Sequence, residues 1–238
     1  MNIALIFAGG TGQRMNSKTK PKQFLELYGK PILVYTLEVF DNHPEIDGIV
    51  LVVLEAWVDY TKSLISKYNL AKVTTVVSGG DTAFSSQRIG LKKVSELYGN
   101  DNVVLIHDGV RPLVDNDTIS RNIDSVYKRG SAITVTPAIE TITILSDSGE
   151  ISQIIERSKV QMARAPQSFK LCDVLEAHQK AEADNLEFID SASVMKHYGY
   201  SLYTVQGSPE NIKITTPNDF YTFRALVDAS ENSQIFGV

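Results

Sequence analysis

The chain has 238 residues, 43% of them hydrophobic, which suits one α/β domain with a substantial core. A formal net charge of −5 argues against nucleic-acid binding through a broad basic surface, and the longest apolar runs, such as Ile49 to Leu54, fall far short of the roughly 20 residues that span a bilayer. Cys172 is the only cysteine, which excludes an intrachain disulfide and disfavours a cysteine-built metal site; it is expected as a small buried or half-buried side chain.

The N-terminus, Met1 to Phe7, lacks the basic region and small-residue cleavage site of a secretory signal, so a cytoplasmic protein is expected. Ile3 to Phe7 reads as a first strand and runs into Phe7-Ala8-Gly9-Gly10-Thr11-Gly12-Gln13-Arg14-Met15. Glycines there permit positive φ and let backbone N–H groups approach a phosphate, the physics of an anion-binding nest. A dinucleotide fingerprint would need glycine where Met15 stands, and a Walker A loop would need Gly-Lys followed by Ser or Thr; both readings weaken. From Arg14 to Lys22 the chain carries Arg14, Lys18, Lys20 and Lys22 and no acid. Attack on a nucleoside α-phosphate loads negative charge onto the phosphoryl oxygens and the leaving pyrophosphate, and fixed cations such as Arg14 and Lys22 would stabilise that transition state.

Further strands are expected at Ile49–Val53, Val73–Val77, Val103–Ile106 and Ala132–Thr136, with helical segments between them. Trp57, Tyr60, Leu64 and Tyr68 form one helical stripe and Ile119, Ile123 and Val126 another, both read as core packing. The alternation implies an α/β fold with a mainly parallel sheet and helices on both faces. Asp81 and Ser86 are candidate caps for the helix that continues through Ile89, Leu91 and Val94. Val104-Leu105-Ile106-His107-Asp108-Gly109-Val110-Arg111-Pro112 places an acid and a cation beyond a buried strand, where open α/β sheets bind ligands. Asp108 there would orient a substrate hydroxyl or help hold magnesium, or else simply pair with Arg111; His107 is read as a structural hydrogen-bonder. Thr141–Leu145 and Ile151–Ile155 flank a polar turn and suit a hairpin whose apolar face needs a cover, for which a second subunit is the expected source. Thr216-Pro217-Asn218-Asp219 reads as the start of a closing helix. No repeat or linker interrupts the chain, so a single domain over residues 1–238 is expected, with an arm at about 138–162.

Taken in order, Ala8-Gly9-Gly10-Thr11-Gly12-Gln13-Arg14-Met15, Pro21-Lys22-Gln23, Gly79-Gly80-Asp81, His107-Asp108-Gly109-Val110-Arg111-Pro112, Ala165-Pro166-Gln167 and Asn211-Ile212-Lys213-Ile214-Thr215 resemble the cytidylyltransferases of ribitol 5-phosphate and 2-C-methyl-D-erythritol 4-phosphate. The resemblance spans nearly the whole chain. It implies a Rossmann-like nucleotidyltransferase fold, a β-arm that intertwines two subunits of a homodimer, and CTP and a polyol phosphate as substrates, with Mg2+ bridging triphosphate oxygens. It also implies roles. Ala8, Gly9 and Gly10, with Thr11 and Gly12, match the backbone around the CTP triphosphate and ribose, and Arg14 and Lys22 match the transition-state pair. Gly79, Gly80, Asp81 and Ser86 match the segment that reads cytosine. Asp108 and Arg111 match positions near the acceptor polyol. Arg157 and Lys213 match those that position the acceptor phosphate, and Thr141 matches a hairpin threonine that reaches it from the neighbouring subunit.

Ala83 stands where the family usually has arginine, and Ala165 where it usually has threonine. Val110 leans toward the ribitol phosphate branch, as does Ser191, which replaces the glutamate usual in methylerythritol enzymes. D-ribitol 5-phosphate is therefore the expected acceptor, for teichoic acid or capsule building, with methylerythritol phosphate and isoprenoid precursor synthesis as the alternative. A hexose-1-phosphate nucleotidyltransferase is a more distant one. A non-catalytic nucleotide-binding module is disfavoured by Arg14, Lys22, Arg157 and Lys213 together, and a dinucleotide oxidoreductase by the missing glycine.

Overall fold

A computed structural model describes residues 1–10 and 20–236. In chain order the principal elements are β1 (Asn2–Ala8), a 3-10 turn (Lys22–Phe24), β2 (Glu26–Leu27), β3 (Lys30–Pro31), α1 (Ile32–Asn42), β4 (Gly48–Val53), α2 (Val58–Lys67), β5 (Val73–Ser78), α3 (Ala83–Tyr98), β6 (Val103–Asp108) and α4 (Asn116–Arg129). There follow β7 (Ser131–Pro137), β8 (Ile142–Leu145), β9 (Ile151–Ile155), β10 (Gln161–Lys170), α5 (Leu171–Ala183), α6 (Ser191–His197), β11 (Thr204–Gln206) and α7 (Pro217–Phe236).

The main sheet has the order β11-β7-β10-β6-β1-β4-β5, and every pairing in it is parallel except those of β10. Its central strands are continuous apolar runs because both faces are covered. On β1, Ala4 and Ile6 pack with Leu37, Leu64 and Ile123 on one side, while Ile3 and Leu5 pack with Leu91, Val94 and Val174 on the other. The period of two in the strand thus feeds two cores of one α/β sandwich. The strands expected from the sequence are present, as are both helical stripes.

Three features differ from the sequence reading. Strand β10 was not apparent: Gln161-Met162-Ala163-Arg164-Ala165-Pro166 has no β-branched alternation, and its pairing with β7 is irregular between Ala163 and Gln167. The cap of α3 is neither Asp81 nor Ser86 but Thr82, whose hydroxyl accepts from the Ser85 N–H while the Ser85 hydroxyl accepts from the Thr82 N–H. Cys172 is exposed, since it falls on the solvent side of the first turn of α5, where Leu171 and Val174 take the inward positions.

The β8–β9 hairpin forms a sheet of its own and leaves Leu145, Ile151 and Ile154 at least 60% exposed. At the other end, Asp219 accepts the backbone N–H groups of Thr215 and Thr216, which starts α7 and fixes the chain just after Lys213. Phe223 on that helix is fully buried in a cluster with Ile32, Val110 and Ile214.

Candidate active site

Strands β1 and β6 are parallel neighbours in which Phe7 sits opposite Asp108, so the chain leaves the sheet twice, side by side, at its carboxyl edge. Between those exits lies a cavity of about 620 Å³, of the size that holds a nucleotide-scale ligand. Gly109 joins the two exits: its N–H donates to the Phe7 carbonyl at 2.7 Å, and a Cβ there would lie 3.0 Å from that oxygen. A side chain there would press on that carbonyl, so glycine suits this close approach.

Ala8, Gly9 and Gly10 line the cavity, and Thr11, Gly12 and Arg14 lie outside the described residues. Gly9 and Gly10 do not use the positive φ expected of them. A Cβ on Gly9 would meet no described atom within 4 Å, so the missing side chain opens room on the cavity wall for a ligand against the backbone. Lys22, 9% exposed, reaches the same cavity from the 3-10 turn, and its neighbour Gln23 is tied to the first loop by an Nε2 hydrogen bond to the Ala8 carbonyl.

Asp108 is the electrostatic hinge of the site. Its Oδ2 accepts from Arg111 Nε at 2.8 Å and its Oδ1 from Lys213 Nζ at 2.7 Å. Arg111 also donates to the Asn211 carbonyl at 3.0 Å, and the fully buried Asn211 donates to the Ala165 carbonyl at 2.7 Å, so strand β10, the β6 exit and the Lys213 loop are joined. Burial alone would raise the Asp108 pKa; the charges of Lys213 and then Arg111 outweigh it and hold the carboxyl well below the usual range. His107, 1% exposed, is bonded to the Arg111 carbonyl at 3.2 Å, and burial drives its pKa down to about 4. It is a neutral structural group, as expected.

At the other end of the cavity, beyond β5, the Ser86 hydroxyl accepts from the Gly80 N–H at 3.1 Å, and a Cβ on Gly79 would lie 2.7 Å from that hydroxyl. Gly80, Asp81 and Ser86 line the wall, with Gly79 packed behind Ser86, and Ala83 opens the place where the family usually has arginine. Arg157 and Thr141 are exposed and do not line the cavity; Arg157 donates to the Ile139 carbonyl at the root of the hairpin. Of the four cations Arg14, Lys22, Arg157 and Lys213, the described structure therefore brings together Lys22 and Lys213.

Among the described residues no group of three or more acidic, histidine or cysteine side chains is placed to hold a metal. Asp108 keeps acceptor capacity beyond its two ion pairs, and magnesium commonly takes one or two carboxylates and leaves its other positions to phosphates and water. This donor set fits an ion carried by a nucleotide rather than a protein-built cage.

The family model for IspD, 2-C-methyl-D-erythritol 4-phosphate cytidylyltransferase, matches residues 2–229. The chain belongs to this family. It is 49% identical over 238 residues, the full length of both chains, to a ribitol-5-phosphate cytidylyltransferase of Vibrio parahaemolyticus. It is 40% identical over 228 residues to a 2-C-methyl-D-erythritol 4-phosphate cytidylyltransferase of Clostridium acetobutylicum, covering 95% of this chain and 97% of that one. The crystal structure of 4-diphosphocytidyl-2C-methyl-D-erythritol synthase from Anaerococcus prevotii superposes with a TM-score of 0.84 at 27% identity, over 96% of each chain. The protein is thus a CTP-dependent cytidylyltransferase with a Rossmann-like nucleotidyltransferase fold, and the resemblance drawn from its motifs is correct.

Several cavity residues had no sequence signal. Gln87, Arg164 and Ile189 line the wall without belonging to a recognisable motif. Asp190 lines it too but is engaged locally: its carboxylate accepts from the Ser193 N–H at 2.8 Å to cap α6 and from Gln167 Nε2 at 2.8 Å. The Pro166-Gln167 pair had marked that neighbourhood.

Proposed function

We propose that this protein transfers the cytidylyl group of CTP to D-ribitol 5-phosphate, giving CDP-ribitol and pyrophosphate. The observation that carries the reaction type is the single cavity into which the glycine loop, Lys22, Asp108, Arg111 and Lys213 all open. The acceptor is favoured by the higher full-length identity to a ribitol-5-phosphate enzyme, 49% against 40% for the methylerythritol enzyme, and by Val110 and Ser191.

In this reading the cytosine lies over Gly80 and Ser86, and the triphosphate follows the Ala8–Gly10 backbone toward Lys22. An oxygen of the acceptor phosphate attacks the α-phosphorus in line; a new P–O bond forms as the bond to the bridging oxygen of pyrophosphate breaks. A phosphate oxygen is already ionised near neutral pH, so no general base is needed, and His107, buried and neutral, is not asked to act as one. Catalysis rests on placement and charge: Lys22 and Arg14 on the phosphates, Asp108 and Arg111 beside the polyol, Lys213 near the acceptor phosphate. Asp108 is the residue that would help hold Mg2+, which would supply further positive charge beside the phosphates when bound. Thr141 and Arg157, which do not line the cavity of their own chain, serve the acceptor site of a second subunit, which the exposed apolar hairpin binds in a homodimer. The enzyme works in the cytoplasm.

Pyrophosphate release is to be measured over a panel of polyol phosphates with CTP, UTP and GTP. Turnover is expected with CTP and ribitol 5-phosphate. Turnover with CTP and methylerythritol 4-phosphate alone would overturn the acceptor assignment.

A further inference from the structure

Arg164 has no place in the motifs above, yet it lines the cavity from strand β10, half-buried, beside the cluster around Asp108. Its Nε donates to the hydroxyl of Thr136 at 3.3 Å, and Thr136 is itself 2% exposed, so the guanidinium is anchored at one end and its terminal N–H groups remain for other partners. Its charge is uncompensated. Asp108 is bracketed by Arg111 and Lys213, Asp190 caps α6, and among the described residues no carboxylate lies within ion-pair distance of Arg164. The undescribed stretch 11–19 contains no acid either. Burial and the neighbouring Arg111 both act against the charge and lower its pKa from the arginine value. A half-buried cation next to a second one is costly without a counter-ion, and here the open cavity is the side from which a counter-ion can come.

The sheet order says which anion. From β5 the edge runs through β4 and β1 to β6, then to β10 and β7. The base end of the cavity lies at β5 and the triphosphate loop at β1, so Arg164 sits beyond β6, past the nucleotide and on the acceptor side. A guanidinium fork suits a phosphate better than it suits polyol hydroxyls. We propose that Arg164 binds the phosphate of the acceptor and aims its attacking oxygen at the α-phosphorus. This rests on the cytidylyl-transfer reading above and adds to it an acceptor-binding residue within the same chain.

The test is steady-state pyrophosphate release by the intact enzyme and its Arg164→Gln and Arg164→Lys variants, with CTP and ribitol 5-phosphate varied separately and thermal melting as a check on folding. Arg164→Gln is expected to raise the acceptor KM about tenfold or more and leave the CTP KM within about twofold. Arg164→Lys, which keeps the charge but not the fork, is expected to fall between the two. Inhibition by unphosphorylated ribitol is expected to be the same in all three proteins. An unchanged acceptor KM, an equal rise in both KM values, or a loss of ribitol inhibition matching the KM rise would overturn the proposal. If Arg164→Gln fails to fold, the lysine variant decides by the same two constants. Failure of the wild-type enzyme to use ribitol 5-phosphate would count against the acceptor identity alone. The KM comparison is then made with methylerythritol 4-phosphate, whose phosphate Arg164 must bind equally, and the same outcomes support or overturn the role of Arg164.

Discussion

Asp108→Asn removes one charge and almost no volume, so its effect reads the electrostatics of the site directly. The Arg111 and Asp108 side chains are 9% and 27% exposed and Lys213 is 43% exposed, so the two ion pairs differ in weight. Losing one partner of a buried pair costs about 3–5 kcal/mol, but the partly exposed carboxylate and the surviving Arg111 bond to the Asn211 carbonyl lower the Arg111 share to about 2–3 kcal/mol. The Lys213 pair, largely open to water, adds about 0–1 kcal/mol. A total near ~3 kcal/mol would depress Tm by about 6–12 °C in a domain of this size. Urea unfolding and calorimetry of both proteins measure it. The folded pKa of Asp108 is depressed, so its contribution is complete above the ordinary aspartate value of 3.8 and is lost only as pH falls from there toward the lower folded value. The difference between wild type and variant should therefore be flat from about pH 5 to pH 7.5. A difference below about 0.5 kcal/mol, the usual scatter of surface substitutions, would refute the reasoning, as would one that changes markedly across that range.

Lys22→Ala and Arg14→Ala are each expected to cut turnover by on the order of a hundredfold while leaving the melting temperature near wild type; near-normal pyrophosphate release in both would end their assigned roles. His107 and His178 are each 1% exposed, and burial pushes both down to about 4 from an ordinary 6.5. Unfolding therefore takes up protons between those values, and stability should fall on acidification by about 1.4 kcal/mol per pH unit for each histidine. His178→Asn should roughly halve that slope in pH-dependent urea melts, and an unaltered slope would remove His178 from the account. Ile154→Asp, on the hairpin face that stands 65% exposed, should convert the proposed homodimer to monomers in sedimentation and depress activity through the loss of Thr141 and Arg157 from the neighbouring site. A persistent dimer would place the interface elsewhere.

The parallel half of the fold was legible because buried strands such as Ile49–Val53 declare themselves as β-branched runs, and the closing helix because Thr216 and Asp219 write a cap into the sequence. The antiparallel strand β10 was not. Its residues owe their places to partners far along the chain: Ala165 to Asn211 and Arg164 to Thr136. Local pattern contains no trace of such pairings. The motif residues Gly80, Ser86, Asp108 and Lys213 were identifiable in order along the chain, but that Asp108 ties two cations together, and that Arg157 and Thr141 stand apart, depends on how strands fold past one another. Cys172 shows the same limit at a single residue, since cysteine is usually buried and only the register of α5 turns it outward.

The distribution of charge suits the proposed reaction, which needs no general base. Among the described residues, four cations, Lys22, Arg111, Arg164 and Lys213, and three acids, Asp81, Asp108 and Asp190, line the cavity of a molecule that is acidic as a whole. Cations gathered at one edge repel, and an unliganded site of that kind would loosen. Asp108 offsets this by holding Arg111 and Lys213 at 2.8 and 2.7 Å, while Asp190 is engaged in capping a helix and so does not compete for the cations. Asp108 thus holds Arg111 and Lys213 in place and offsets part of their charge, while Arg164 makes no ion pair among the described residues; in the proposed reaction, fixed charge of this kind lowers a phosphoryl-transfer barrier where it meets charge that develops in the transition state.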